Sequence, residues 1–240
     1  MALNEARISR TGKFKMVSKV TRAGVALAVL ASAAGGALAE GEWSGNVAMT
    51  TDYVWRGVSQ SNEDMAISGG FDYANGLFYA GTWASNVDFS DEPEDSNVEL
   101  DLYGGIAGET ESGISWDVGF IYYAYPDAED ADYDFVELKG ALGYTFTSGV
   151  SVGGSVFWDP DNKNVYVEGS AGYSFTDEFS VDATVGNYSY DAGGDYTNWS
   201  LGATYTLPVG IDLGVRYWDT DIDATSIAED RVVFTISKAL

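Results

Sequence analysis

Beyond residue 40 the chain reads as a succession of short segments in which apolar and polar residues alternate. That is the period-2 pattern of strands with two unlike faces. Twelve segments stand out, near 43–58, 65–74, 77–87, 97–108, 114–125, 133–146, 150–158, 164–175, 179–188, 196–207, 211–219 and 231–239. In the first, Trp43, Val47, Met49, Tyr53 and Trp55 share one face, and Ser44, Asn46, Thr50, Asp52 and Arg56 the other. The fourth sets Val98, Leu100, Leu102 and Ile106 against Asn97, Glu99, Asp101 and Tyr103. A helical period fits neither.

The connections sharpen the pattern. Long ones (Ser59–Asp64, Asp88–Ser96, Pro126–Asp132, Asp159–Lys163, Ser189–Asp195, Thr220–Asp230) alternate strictly with short ones (Asn75–Gly76, Glu109–Gly113, Thr147–Gly149, Thr176–Glu178, Pro208–Gly210). Brief turns on one side and extended loops on the other are the mark of a membrane-spanning barrel. The expected fold is all-β: one closed antiparallel transmembrane barrel of about 12 strands. An even strand number puts both ends on the short-turn side, expected to face the periplasm. A soluble sandwich also alternates, so the apolar face must be assigned. The polar face is rich in Gly, Ser, Thr and Ala, and the chain beyond residue 39 holds three Lys, far fewer than a soluble surface carries. Six of seven Trp (Trp43, Trp55, Trp83, Trp116, Trp158, Trp199) fall in the apolar phase, which suits interfacial belts. Closure also removes exposed strand edges, a requirement in lipid. Mid-strand glycines such as Gly69, Gly70, Gly104, Gly105, Gly153 and Gly154 are expected to make room for side chains on a strongly curved wall.

Residues 1–39 read as a secretion signal. Arg7, Arg10, Lys13, Lys15, Lys19 and Arg22 precede an apolar stretch over residues 23–30, and Ala37-Leu38-Ala39 is a small-x-small cleavage site. Export leaves 40–240 as the barrel. That part has six basic residues against 36 carboxylates, a formal net charge of −30. Nucleic acid is therefore not an expected partner. Outer-membrane lipid, small ions or solutes and the outer-membrane assembly machinery are. Neither Cys nor His occurs, so Ser-His-carboxylate chemistry is excluded and no enzyme is expected. No cofactor is expected either. The acidic stretches Asp91–Asn97 and Pro126–Asp132, with Asp219, Asp221 and Asp223, gather hard oxygen ligands for surface Ca²⁺ or Mg²⁺. Solvated surface charge is the better account of them.

By phase, the lumen receives Asp52, Arg56, Asp72, Glu99, Asp101, Asp117, Glu137, Lys139, Glu168, Asp182, Asp212 and Arg216, with Arg231 a further candidate. A water-filled lumen with this excess of acids favours cations. Alternatively, acids and bases pair across the wall and fill the interior. The expectation is an Asp52–Arg56 pair near the outer mouth, a Glu137/Lys139 pair partly neutralising itself, and a negative field from Glu99, Asp101, Asp117 and Glu137. Inward Phe78, Tyr103, Tyr123, Phe157, Tyr166, Tyr188 and Trp218 narrow the bore. Three function classes stand: a passive, cation-preferring porin-like channel; a non-conducting structural or adhesive barrel; and a soluble secreted all-β protein.

The segments TDYVWRGVSQ (Thr51–Gln60), GGFDY (Gly69–Tyr73), GTWASNVDF (Gly81–Phe89) and VELDLYGG (Val98–Gly105) resemble the proteobacterial TorF family of porins, the Gcw_chp domain, whose function is uncharacterised. The resemblance extends over the whole mature chain and weakens toward the last strands. It implies an outer-membrane barrel with a pore role and supplies no substrate. It reaches Asp52, Tyr53, Arg56, Gly57, Ser59 and Gln60 and gives none of them a function. Arg56-Gly57 reads equally as a corner where the first strand bends into its loop.

Overall fold

The computed structural model describes residues 41–89, 96–126, 128, 133–223 and 225–240. The expected signal segment and most of the acidic positions at 91–97 and 126–132 lie outside them. In chain order the strands are β1 (Glu42–Thr50), a two-stranded insert of β2 (Val54–Trp55) and β3 (Val58–Ser59), β4 (Ala66–Asn75), β5 (Phe78–Asn86), β6 (Val98–Glu109), β7 (Ile114–Ala124), β8 (Phe135–Thr145), β9 (Val150–Trp158), β10 (Val165–Ser174), β11 (Phe179–Ser189), β12 (Asp195–Thr206), β13 (Ile211–Thr220) and β14 (Arg231–Ala239). All but β2 and β3 form one closed barrel of twelve antiparallel strands. Each strand pairs with its neighbours in sequence. Closure comes at β1, where Ala48 is registered with Ser68 of β4 and with Ser237 of β14.

The two faces behave as their chemistry demands. Val47, Met49, Ile67, Phe71, Leu102, Val118, Leu142, Val156, Leu201, Val215 and Phe234 are exposed on the outer wall. Apolar surface left in water forfeits about 25 cal/mol per Å², so this exterior belongs in hydrocarbon. Aromatic rings edge it at both rims. At the short-turn end Trp43 meets Tyr73, Tyr144 meets Phe146, and Phe175 lies between Tyr173 and Phe179. Toward the other end Trp199 meets Tyr217. These are the girdles of a transmembrane barrel. Four of the five short turns carry a glycine at positive φ (Gly76, Gly113, Gly149, Gly210), a conformation that favours glycine.

Three expectations need correction. The first strand does not run from 43 to 58: it stops at Thr50, and the next residues fold into the separate β2–β3 hairpin. Its turn residues Arg56 and Gly57 have φ of 51° and 87°, the two positive values of a tight hairpin turn whose twist suits the strands it joins. Tyr53 and Trp55 consequently leave the outer face. Trp83 also points inward, contacting Tyr53 at 5.3 Å between ring centroids and packing on the Tyr103–Tyr123 cluster. Phe78 is the reverse case: it is 70% exposed on the outer wall. The remaining indoles in the apolar phase, Trp43, Trp116, Trp158 and Trp199, stand on the outer face of their strands.

Candidate functional site in the barrel lumen

The β2–β3 hairpin lies within the barrel at its long-loop end. Trp55 packs on both inward clusters, one of Tyr103, Ile121 and Tyr123 and the other of Tyr166, Tyr188 and Tyr196. A Cβ added to Gly57 would stand 2.5 Å from Thr220 of β13 and 2.8 Å from Asn198 of β12. The hairpin thus spans from the β6–β8 wall to the β11–β13 wall. Side-chain bonds fix the segment that carries it. Asp52 accepts from Ser59 at 2.6 Å and Ser61 at 3.1 Å, and pairs with Arg231 at 2.7 Å.

At the hairpin tip, Arg56 forms a forked pair with Glu137 of β8, both N–O distances being 2.7 Å. This two-bond geometry matches guanidinium to carboxylate. The guanidinium carbon also lies 4.1 Å from the Trp55 ring centroid, 4.1 Å from Tyr166, 5.0 Å from Phe157 and 5.3 Å from Tyr188. Arg56 is 7% exposed and Glu137 1%. Tyr123 donates to the same carboxylate at 3.2 Å. Tyr166 is in turn held by Glu168 at 3.0 Å and Asn198 at 3.2 Å. A Cβ on Gly186 would fall 2.1 Å from the Tyr166 hydroxyl, so the glycine supplies the floor on which that ring lies.

Among the described residues, every basic group turned inward is paired with an acid. Lys139 pairs with Asp117 at 2.9 Å, and Arg216 with Asp182 at 2.6 Å. The expected Asp52–Arg56 and Glu137–Lys139 pairs are therefore replaced. Arg56 reaches across the lumen to Glu137 of β8, Asp52 goes to Arg231 of β14, and Lys139 turns to Asp117 of β7. Residues two apart on one strand share a face, but the neighbouring strands offered closer partners. Asp117 and Glu137, expected to supply negative field, are each bound to a base.

The other predicted residues also point inward. Glu99 accepts from Tyr53 at 2.7 Å and Tyr125 at 2.8 Å. Beyond the end of β7, the Tyr125 phenol is pushed well above its ordinary range, first by burial and then by the Glu99 carboxylate, so it stays protonated as a donor. Asp101 lies two residues along the same face, and its buried Oδ1 has no hydrogen-bond partner. Asp72 accepts from Tyr103 and Asp212 from Thr206, both at 2.6 Å. Among the described residues, Asp72, Glu99, Asp101, Glu168 and Asp212 make no ion pair. No group of three or more acidic residues there is arranged to hold a metal.

Sequence reasoning missed Tyr53, Trp55 and Tyr125 as lumenal groups. Strict alternation carried the first two outward because it ran the strand through a turn. The Arg56-Gly57 dipeptide was the available signal, since a residue followed by Gly between β-formers marks a tight reversal.

A closed antiparallel barrel with an apolar exterior between aromatic girdles is a protein of the bacterial outer membrane. This chain belongs to the Gcw_chp family, bacterial proteins of unknown function, whose model matches residues 34–240. No curated protein matches it. Its architecture is similar to that of solved porins. For KdgM porin the TM-score is 0.59 at 8% identity, covering 82% of this chain and 97% of that one. For NanC porin it is 0.56 at 10% identity, covering 82% and 98%. An outer membrane channel from Pseudomonas putida F1 gives 0.50 at 11% identity, covering 85% and 96%. At these identities the likeness is one of fold.

Proposed function

We propose that this protein is a porin-like channel for passive movement of small ions or solutes, with a preference for cations. The observation that carries the reading is the asymmetry of the lumen. Among the described residues each inward base is bound to an acid, while Asp72, Glu99, Asp101, Glu168 and Asp212 have no basic partner. Low-dielectric walls focus that field along the axis. A barrel of twelve strands has a modest bore, and the hairpin narrows it at the long-loop end. Both chain ends face the periplasm in this reading, and the TorF resemblance belongs with it. The lining residues are Asp52, Arg56, Asp72, Glu99, Asp101, Asp117, Glu137, Lys139, Glu168, Asp182, Asp212 and Arg216. No catalytic role is assigned to them. KdgM porin has also been solved with disordered oligogalacturonate. A net acidic lumen repels such a polyanion, so that solute is not carried over to this chain.

One observation favours a second reading, a non-conducting barrel: Trp55 and Arg56 touch opposite walls at once. Planar-bilayer recording separates the two. Reversal potentials in a KCl gradient should show cation preference, reduced in E99Q/D101N. A selective wild type whose reversal potential does not move in that variant refutes the lining assignment, and absence of unitary currents favours the second reading.

A further inference from the structure

Arg56 is the one lumenal base that is not on the barrel wall, yet the groups that surround it mostly are. Glu137 comes from β8, Phe157 from β9, Tyr166 from β10 and Tyr188 from β11. Only Trp55 travels with the hairpin. These wall groups are held without help from Arg56. Tyr123 donates to Glu137, Tyr166 is fixed by Glu168 and Asn198, and Tyr188 stacks on Tyr196 with an interplanar angle of 14°. A carboxylate among aromatic faces is a cage for a flat or compact organic cation. The backbone points the same way. Arg56 is held at φ 51°, a region that ordinary residues seldom adopt, in a turn position where Asn, Asp or Gly is the common choice.

We propose that this cage is a binding site for guanidinium-bearing solutes and that Arg56 is its tethered occupant. The inference rests on the channel reading and names the solute class for it. Withdrawal of the hairpin alone would leave Glu137 buried and uncompensated, a state proteins avoid. Withdrawal coupled to entry of another guanidinium leaves it paired. A solute of that kind therefore enters by exchange: it takes the forked contact to Glu137 and the ring faces, and the hairpin moves aside. A hydrated alkali ion offers neither the fork nor the flat face and exchanges poorly.

The test is chemical rescue in the full-length protein, with guanidinium chloride at millimolar concentration as probe and NaCl at equal ionic strength as control. R56A should conduct several-fold more than wild type in NaCl. Guanidinium should then reduce its current along a saturable curve and change its tryptophan emission, because the hairpin that carries Trp55 shifts when the cage fills. R56A/E137Q should need about tenfold more guanidinium for the same effect, reflecting loss of a charge-assisted forked contact. Adding W55F to R56A should remove the emission change. If guanidinium acts no differently from Na⁺ on both current and emission, the cage assignment is wrong. If neither protein conducts but the saturable emission change is present and depends on Glu137, the cage stands and the channel reading fails. Heat-modifiable gel mobility verifies folding. Should R56A not fold, R56K carries the test, because Lys keeps the charge but not the fork. Guanidinium should displace the lysine at lower concentration than it displaces the wild-type arginine, and equal concentrations overturn the proposal.

Discussion

Glu137 holds the long-loop half of the lumen together through one charge. Its two oxygens take both arms of the Arg56 fork, and its side chain is 2% exposed. Removing one partner of a buried pair costs about 3–5 kcal/mol, because the remaining charge has no solvent to turn to. In E137A the stranded group is on a hairpin that can leave, rather than on the wall. The expected result is a barrel that persists with segment 51–65 displaced. Limited proteolysis of the reconstituted protein checks this: cleavage within that segment should be faster in E137A than in wild type, and unchanged cleavage contradicts it. The strands to either side of β8 teach a related lesson about small residues. Tyr103 lies over Gly81, where an added Cβ would stand 2.5 Å from its ring, and Tyr166 lies over Gly186. Glycines that weaken a strand by propensity here make space for inward tyrosines that bond the carboxylates.

Among the elements, the hairpin and the barrel strands answer to different forces. The wall is held by a closed ladder of backbone hydrogen bonds that needs nothing inside it. The hairpin has only two residues in each strand and survives through its side chains. Replacing Val54–Ser59 with a glycine-serine link should thus leave heat-modifiable mobility intact and raise unitary conductance. Loss of the folded gel species would show that the insert is needed for the wall. The strands also differ by face. Val118 stands outward at mid-strand in β7, where an arginine meets hydrocarbon and costs about 2–4 kcal/mol. Ser170 stands inward on β10, beside Glu168 and near Asp182. V118R should lower the urea midpoint of the membrane-refolded protein well below that of S170R; similar midpoints would contradict the assignment of the outer wall to lipid.

For the molecule as a whole, the governing quantity is the unbalanced charge of the lumen. In the proposed channel, field from Asp72, Glu99, Asp101, Glu168 and Asp212 acts on permeant ions through water, so salt must screen it. The screening length falls from about 10 Å at 0.1 M to about 3 Å at 1 M. Cation preference measured by reversal potential should therefore shrink as the mean salt concentration rises at a fixed gradient ratio. A preference independent of salt would place its origin in close contacts rather than in the field.

The number of strands, their order, their short turns and most of their outward residues were legible in the chain before any coordinates. A period of two, interrupted by turn residues at alternating distances, leaves a membrane barrel few alternatives. The inward position of Asp72, Glu99, Asp101 or Asp182 follows from the same parity. Parity holds only while a strand continues. It failed at Asp52–Ser59, where a reversal at Arg56-Gly57 turned Tyr53 and Trp55 inward; on β5 the alternation held, but its two faces were assigned the wrong way round, so Phe78 is outward and Trp83 inward. Nor does one-dimensional spacing say which acid meets which base. Curvature and strand register bring Arg56 to Glu137, 81 residues away, and Arg231 to Asp52, 179 residues away. The face of a strand is a local property, set by pleat geometry and burial. The partner of a buried charge is chosen by whichever opposite charge the closed wall carries nearest.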